Sequence, residues 1–170
     1  PGQSLLGTLD KGIYIYEMPV SGWQSTNECS AKLTYGTAEG YLFGYSLAIS
    51  SDGSTIAAGA PYYGGDLSTG GVYVYRKTGS QWVTADSYDA LLSNSETHQS
   101  TPLGFSVALN AAGTLVLIGC TAPPFYTYNE AYLYRKPVSG WADMTETCYF
   151  TVTDGSTGDG FGTSVLITPD

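Results

Sequence analysis

The chain has 170 residues, enough for one domain with a hydrophobic core, and its net charge is −9, from 6 Lys and Arg against 15 Asp and Glu. Such a chain lacks the clustered cations that neutralise phosphate, which argues against nucleic-acid binding and against docking on anionic membranes. No apolar run approaches the roughly 20 residues that cross a bilayer, so we expect no membrane span.

The predicted elements, taken in chain order, repeat with a period of about 59 residues. The string IYIYEM from Ile13 precedes Trp23, and it returns as VYVYRK before Trp82 and as AYLYRK before Trp141. The tryptophans are 59 residues apart in both steps (82 − 23 and 141 − 82). Self-similarity at a fixed period predicts a repeat architecture.

Within one unit the pattern predicts four antiparallel strands. Alternation over 43–50 predicts the first strand, and the Asp-Gly pair at Asp52 predicts a tight turn after it. Residues 55–60 form the second strand, VYVYRK the third, and 81–88 the fourth and outermost. No 3.6-residue periodicity predicts a helix. Four short strands per repeat are typical of a β-propeller blade, so the fold class is all-β.

Several of these strings resemble the FG-GAP repeat. FGYSLAIS, DGSTIAAGAP and GGVYVYR contain Phe43-Gly44 and 59–61 (Gly-Ala-Pro), which give the repeat its name. The third unit departs from this pattern, with Leu103-Gly104 and with Gly-Cys-Thr-Ala-Pro over 119–123. The resemblance implies antiparallel four-stranded blades like those in the seven-bladed propeller of integrin α chains. It also implies an extracellular or cell-surface location.

The repeat boundaries predict about three blades that are out of phase at the termini. Residues 1–42 supply the last two strands of a first blade, 43–102 a second blade, 103–160 a third, and 161–170 the first strand of a following blade. The small second strand is missing from the blade that the two ends would form together. Three blades cannot close a propeller, which needs at least four.

Two interpretations of these open ends remain. The chain is an excerpt of a longer propeller-containing protein, or its copies meet head to tail and complete each other's blades, which would build a fibre. The expected partners are therefore other copies of the chain or further repeats of it, with glycans as a further candidate. The core of each blade is expected to contain the aromatic landmarks Trp23, Trp82, Trp141, Phe43 and Phe161.

The sequence predicts no cofactor, no metal site and no enzyme. Where FG-GAP units carry a calcium loop, this chain has a single carboxylate, Asp52, which cannot supply the 6–8 oxygens that calcium takes. The acidic string at 154–160 is interpreted as turn chemistry between blades, with calcium binding as the alternative. His98 lies in a polar loop, and Asp86 and Asp89 flank a fourth strand with no cleft to raise a pKa.

The cysteines offer one candidate covalent link. Cys29 and Cys148 follow their tryptophans by six and seven residues, so both are predicted on outermost fourth strands. They lie two blades apart, too far for a bond within the chain, which leaves an intermolecular disulfide or two free, half-buried thiols. Cys120, in a strand of small residues, is expected to be buried.

The loops after the second strands are a candidate ligand site. Tyrosines beside an acid could stack on a sugar and hydrogen-bond to it, or they could cap the blade and pack on a neighbour. The residues are Tyr62, Tyr63 and Asp66 in one unit and Phe125, Tyr126 and Tyr128 in the next. No Asn-x-Ser/Thr sequon is present, so any attached glycan is expected on Ser or Thr.

Low charge, abundant Ser, Thr, Gly and Tyr, and the resemblance favour an extracellular structural or adhesive repeat protein. The first rival is a lectin-like propeller that binds carbohydrate through the tyrosine loops. The second is an accessory propeller of a larger surface protein or enzyme. Fold alone does not choose among them.

Overall fold

The computed structural model describes residues 3–9, 12–36, 42–61, 70–95, 103–120, 130–156 and 159–168. In these ranges the chain forms eleven strands in three antiparallel sheets and no helix. The all-β prediction is confirmed at this level. Each sheet corresponds to one repeat.

The first sheet contains three strands, in the order β1 (Ser4–Leu9), β2 (Gly12–Glu17) and β3 (Ala31–Leu33). The prediction of only two strands in 1–42 was wrong, because β1 pairs with β2 along its whole length, from Ser4 opposite Glu17 to Leu9 opposite Gly12. The adjacent leucines and the glycine in SLLGTL hide the period-2 pattern. β1 occupies the place of the small second strand that the sequence analysis considered missing.

The second sheet has the order β4 (Ser46–Ile49), β5 (Thr55–Ala60), β6 (Gly71–Arg76) and β7 (Ala90–Leu92). All six residues of β5 are buried, which explains its Ala and Gly composition. β4 begins three residues later than predicted, because residues 42–44 form a turn in which Gly44 has a φ of +78°.

The third sheet has the order β8 (Leu103–Leu109), β9 (Leu115–Cys120), β10 (Glu130–Arg135) and β11 (Cys148–Thr151). The pairing of β8 with β9 shifts register between Leu103 and Ser106. All four residues of β11 are exposed, whereas β3 and β7 are largely buried. The last strand of the third sheet is therefore uncovered, whereas the last strands of the other two sheets are covered.

The predicted position of the fourth strand was wrong. The segment 81–88 is not a strand of the second sheet, and the strand β7 comes after it. Ala85 instead makes an isolated parallel bridge to Leu33 of the first sheet. Polar residues surround Ala85 in the sequence, so no hydrophobic pattern indicated that this segment contacts the first sheet before β7 begins.

The C-terminal segment 161–170 was predicted to be a first strand. Its described part, up to residue 168, forms turns and extended chain without a ladder. A strand is defined by the neighbour to which it hydrogen-bonds, and in this copy no described strand forms a ladder with the segment.

Candidate assembly interface

The first and second sheets pack through two different surfaces. Because side chains alternate along a strand, each sheet has one face of aliphatic residues and one face rich in tyrosine. The first sheet contributes its aliphatic face, which consists of Ile13, Ile15, Ala31 and Leu33. The second sheet contributes its tyrosine face, which consists of Ile56, Ala58, Ala60, Tyr73, Tyr75 and Trp82. All of these residues are buried.

The second and third sheets repeat this arrangement. The aliphatic face of the second sheet consists of Ala57, Val72, Val74, Ala90 and Leu92. The tyrosine face of the third sheet consists of Val116, Ile118, Cys120, Tyr132, Tyr134 and Trp141. Each sheet thus turns its aliphatic face to the next sheet and its tyrosine face to the preceding one.

Tyrosine hydroxyls fix the spacing of both interfaces. Tyr75 donates to the carbonyl oxygen of Thr34 over 3.0 Å, and Tyr134 donates to that of Ser93 over 2.8 Å. Burial raises the pKa of both tyrosines above the ordinary value, so both hydroxyls stay protonated and donate.

The second and third sheets are in close backbone contact where β4 and β5 meet β8. Ser46 Oγ donates to the carbonyl oxygen of Gly104 over 2.8 Å. A Cβ on Gly59 would lie 2.0 Å from that same oxygen, so only glycine fits there. Gly104 itself has a φ of +101°, a left-handed conformation that favours glycine.

The C-terminal segment docks on the third sheet through the same contacts. Ser106 Oγ donates to the carbonyl oxygen of Gly162 over 2.8 Å. A Cβ on Gly119 would lie 1.8 Å from this oxygen. Segment 159–168 therefore sits against the third sheet as β8 sits against the second.

A second set of links joins the last strand of one sheet to the segment that precedes the last strand of the next sheet. The Ala85 amide donates to the carbonyl oxygen of Lys32 over 3.0 Å, beside its bridge to Leu33. One repeat later, Met144 forms the same parallel bridge to Leu92. The second and third units thus each hydrogen-bond to the last strand of the preceding unit.

No described sheet packs on the tyrosine face of the first sheet, where Tyr14 and Tyr16 are half-buried and Lys32 lies over the Tyr14 ring. Leu5 is 56% exposed, whereas Ile56, which holds the same register position in the second sheet, is fully buried. Trp23 is 41% exposed, whereas Trp82 is 5% exposed. The exposure of Trp23 differs from the core position expected for it, because no sheet of this copy precedes the first.

The aliphatic face of the third sheet is covered by segment 159–168 at Gly119 but is exposed at β11. Phe150 is 47% exposed, whereas its register equivalent Leu92 is fully buried. Cys148 is exposed where the second sheet has the buried Ala90. The outer faces of the first and third sheets are therefore of the two kinds, tyrosine-rich and aliphatic, that meet in each interface within the chain.

A groove lies beside the start of β1. It has a volume of about 480 Å³ and is lined on one side by 3–5 and on the other by 49–51 and Gly53. β1 is the last strand of its sheet on this side, whereas β5 and β9 each have a first strand beside them. Among the described strands, none fills the position of a first strand beside β1.

The other predicted core aromatics differ in burial. Trp141 and Phe43 are 5% and 6% exposed, and Phe161 is half-buried. The residues predicted to bind a sugar lie outside the described ranges, as does His98; they are Tyr62, Tyr63, Asp66, Phe125, Tyr126 and Tyr128.

The three cysteines lie in different environments. Cys29 is half-buried and precedes β3 by two residues, so its predicted place on a fourth strand was wrong, while Cys148 is in β11. Cys120 is buried, and its thiol donates to the carbonyl oxygen of Glu130 over 2.8 Å. Burial raises the pKa of Cys120 to about 12.

Glu130, a buried carboxylate that no sequence motif marked, is 7% exposed and accepts a hydrogen bond from the Tyr132 hydroxyl. The sequence does show an irregularity here, because Glu130 stands at the repeat position where the other two units have glycine, Gly12 and Gly71.

The remaining carboxylates have structural partners. Asp89 forms an ion pair with Arg76, with 2.8 Å between Oδ1 and Nη2. The Ser50 hydroxyl and the Ser54 amide donate to Asp52 and lower the pKa of its carboxyl below the usual range. Within the described ranges, no three His, Cys, Asp or Glu residues lie close enough together to hold a metal ion.

Comparisons of the chain with protein-family models and with curated proteins find no match. Among the residues described here, no helix is long and apolar enough to cross a membrane.

Proposed function

We propose that the chain is an extracellular, non-catalytic structural or adhesive protein with FG-GAP-type blades, whose copies join head to tail into a fibre. In this assembly the aliphatic face of the third sheet of one copy packs on the tyrosine face of the first sheet of the next. The observation that carries the proposal is that these two faces are of the two kinds that meet in an interface already present twice within the chain.

The exposed apolar residues support this assignment. Leu5 and Trp23 at one end, and Phe150 at the other, have counterparts that are almost fully buried inside the molecule. Grouped apolar exposure of this kind marks interaction surfaces on soluble proteins. An interface that joins two different faces leaves one of each free after every addition, so it propagates unless it closes into a ring.

The composition and the described carboxylates support a non-catalytic role. Asp52 and Asp89 are engaged in a turn and an ion pair, and no acidic or metal-binding cluster is found in the described ranges. Few charges, a net charge of −9 and many Ser, Thr and Gly residues suit a secreted surface protein.

Negative-stain electron microscopy of the purified chain, with sedimentation velocity across a concentration series, tests the proposal. We expect filaments of uniform width and a sedimentation coefficient that rises with concentration. Monodisperse single chains at all concentrations would overturn head-to-tail assembly. Closed rings of a few copies would overturn the fibre while retaining the junction.

A further inference from the structure

We infer that residues 164–167 of one copy pair with the free edge of β1 in a second copy and become the missing first strand of its first sheet. The inference rests on the proposed head-to-tail assembly and names the contact that would define its junction. It makes the first sheet four-stranded, like the other two.

The repeat places the donor segment. FGTSVLIT from Phe161 corresponds to FGYSLAIS from Phe43 and to LGFSVALN from Leu103, which contain the first strands β4 and β8. In this copy 164–167 form no strand, and Leu166 is 84% exposed. An apolar first-strand sequence is thus presented without the second strand it would pair with.

The acceptor edge and the register follow from the two complete sheets. β4 pairs antiparallel with β5, with Ser46 opposite Gly59 and Ile49 opposite Ile56, and β8 pairs with β9 in the same way. β1 is the register equivalent of β5 and β9. Transferred to the junction, this register sets Ser164 opposite Thr8, Val165 opposite Gly7, Leu166 opposite Leu6 and Ile167 opposite Leu5.

The serine contact of the complete sheets does not carry over to the first sheet. Ser46 donates to the carbonyl oxygen of Gly104 in the next unit, and Ser106 donates to that of Gly162. Gly44 is the same residue of the FG pair in the second unit. In the first sheet, Thr8 occupies the position that glycine holds at 59 and 119, and its Cγ2 lies 2.5 Å from where a Cβ on Gly44 would be. The register at the junction therefore rests on the strand pairing and not on a serine contact.

Open space lies at one end of the acceptor edge. The groove of about 480 Å³ lies between the start of β1 and the end of β4. Leu47 and Ile49 of β4 pack toward the first sheet and are only partly buried. Because residues two apart share a face, Leu166 would lie on the same side as Ser164, toward β4.

The donor and the acceptor of one copy cannot meet each other. The second sheet separates the first sheet from the third, with one core cluster on each of its faces. Segment 159–168 is anchored on the third sheet through Gly162. A second copy is therefore the occupant that supplies the same strand in the same orientation.

Cysteine cross-linking between two single variants tests the register. In a background with Cys29→Ser and Cys148→Ser, the Leu166→Cys protein is mixed with Leu6→Cys, and Val165→Cys is mixed with Gly7→Cys. Directly opposed residues in antiparallel strands have the α-carbon spacing that a disulfide requires. Leu166→Cys mixed with Gly7→Cys is the mismatched control, because neighbouring residues point to opposite faces.

We expect at least about tenfold more covalent dimer from each matched pair than from the mismatched pair, because a one-residue shift reverses the side-chain direction. Equal cross-linking in matched and mismatched pairs, or none in either, would overturn the strand pairing. If filaments still form in that case, the proposed head-to-tail assembly is retained and only the strand pairing at its junction is rejected. If no assembly forms at all, both fail.

Leu166→Asp gives a second test that does not depend on cysteine chemistry. Leu166 is 84% exposed in the single copy, so this variant should unfold at the wild-type denaturant midpoint. At the junction an unpaired charge would be buried, and self-association should weaken at least about tenfold. Val138→Asp, in an exposed turn, should leave self-association unchanged. Wild-type assembly by Leu166→Asp would overturn the inference.

Discussion

The hydroxyl of Tyr75, in the second sheet, donates a hydrogen bond across the sheet interface to the backbone carbonyl of Thr34, 3.0 Å away. We expect Tyr75→Phe to lower the free energy of unfolding by about 1–2 kcal/mol, since it leaves a carbonyl that has lost its donor. Equilibrium urea unfolding measures the loss. Tyr149→Phe, at a side chain that is 51% exposed, is the control and should stay within about 0.5 kcal/mol of wild type. Equal losses in both variants would contradict the assignment of this bond.

Glycine at position 59 is required by the neighbouring backbone. A Cβ there would lie 2.0 Å from the carbonyl oxygen of Gly104, so Gly59→Ala should destabilise the fold by about 3 kcal/mol or more. Gly7→Ala is the matched control, because a Cβ on Gly7 meets nothing within 4 Å. Thermal unfolding of the two variants should separate them clearly. A Gly59→Ala protein as stable as Gly7→Ala would show that the two inner strands do not approach this closely.

The turn at Asp52 predicts an acid-sensitive part of the stability. Its folded pKa is lowered by bonds from Ser50 and Ser54, so its contribution is present above the unfolded pKa of about 3.9 and is lost as the pH falls through the folded pKa. The stability difference between wild type and Asp52→Ala should therefore shrink below about pH 4.

The third unit supplies a control for this pH effect. Asn110 Oδ1 accepts hydrogen bonds from the Thr114 and Leu115 amides, at 2.8 and 2.9 Å, in the corresponding turn. The Asn side chain does not titrate, so the loss caused by Asn110→Ala should be the same at pH 3 and pH 7. Denaturant unfolding at both pH values checks the pair. A pH-independent loss for Asp52→Ala would contradict the prediction.

Trp23 should report assembly through its fluorescence. It is 41% exposed in one copy and becomes buried if the tyrosine face of the first sheet is covered. We expect the emission to shift to shorter wavelength, and acrylamide quenching to fall, as the protein concentration rises. Trp82 and Trp141 are already buried, so Trp23→Phe should remove the concentration-dependent change. A change that persists in Trp23→Phe would locate the junction elsewhere.

Thiol labelling tests the opposite end. Cys148 is exposed in one copy, and covering the aliphatic face of the third sheet should protect it from a maleimide. Cys120 is buried and its pKa is raised to about 12, so it should stay unlabelled in both states. Mass spectrometry of dilute and assembled samples measures the two sites. An intermolecular disulfide involving Cys29 and Cys148 stays a prediction, which non-reducing electrophoresis checks.

The second and third strands of the repeat were predicted best from the sequence. β5 coincides with the predicted strand because Ile56 and the small residues after it are buried on both faces, and β6 matches VYVYRK within one residue. Local pattern failed where pairing depended on another unit. β1 lacks alternation, and the segment around Ala85 bonds to the preceding sheet before its own strand begins. The assembly faces became visible only when Leu5 and Phe150 could be compared with buried counterparts.

The two sets of links between neighbouring units have a mechanical consequence. Neighbouring units are held at two separated lines, by Ser46 bonded to Gly104 on the inside and by Met144 bridged to Leu92 on the outside. A single line of contact would act as a hinge, whereas two lines resist bending about either one. A filament that repeated both would be stiff in torsion as well as in bending, and its persistence length would be set by the sheets rather than by flexible connections between copies.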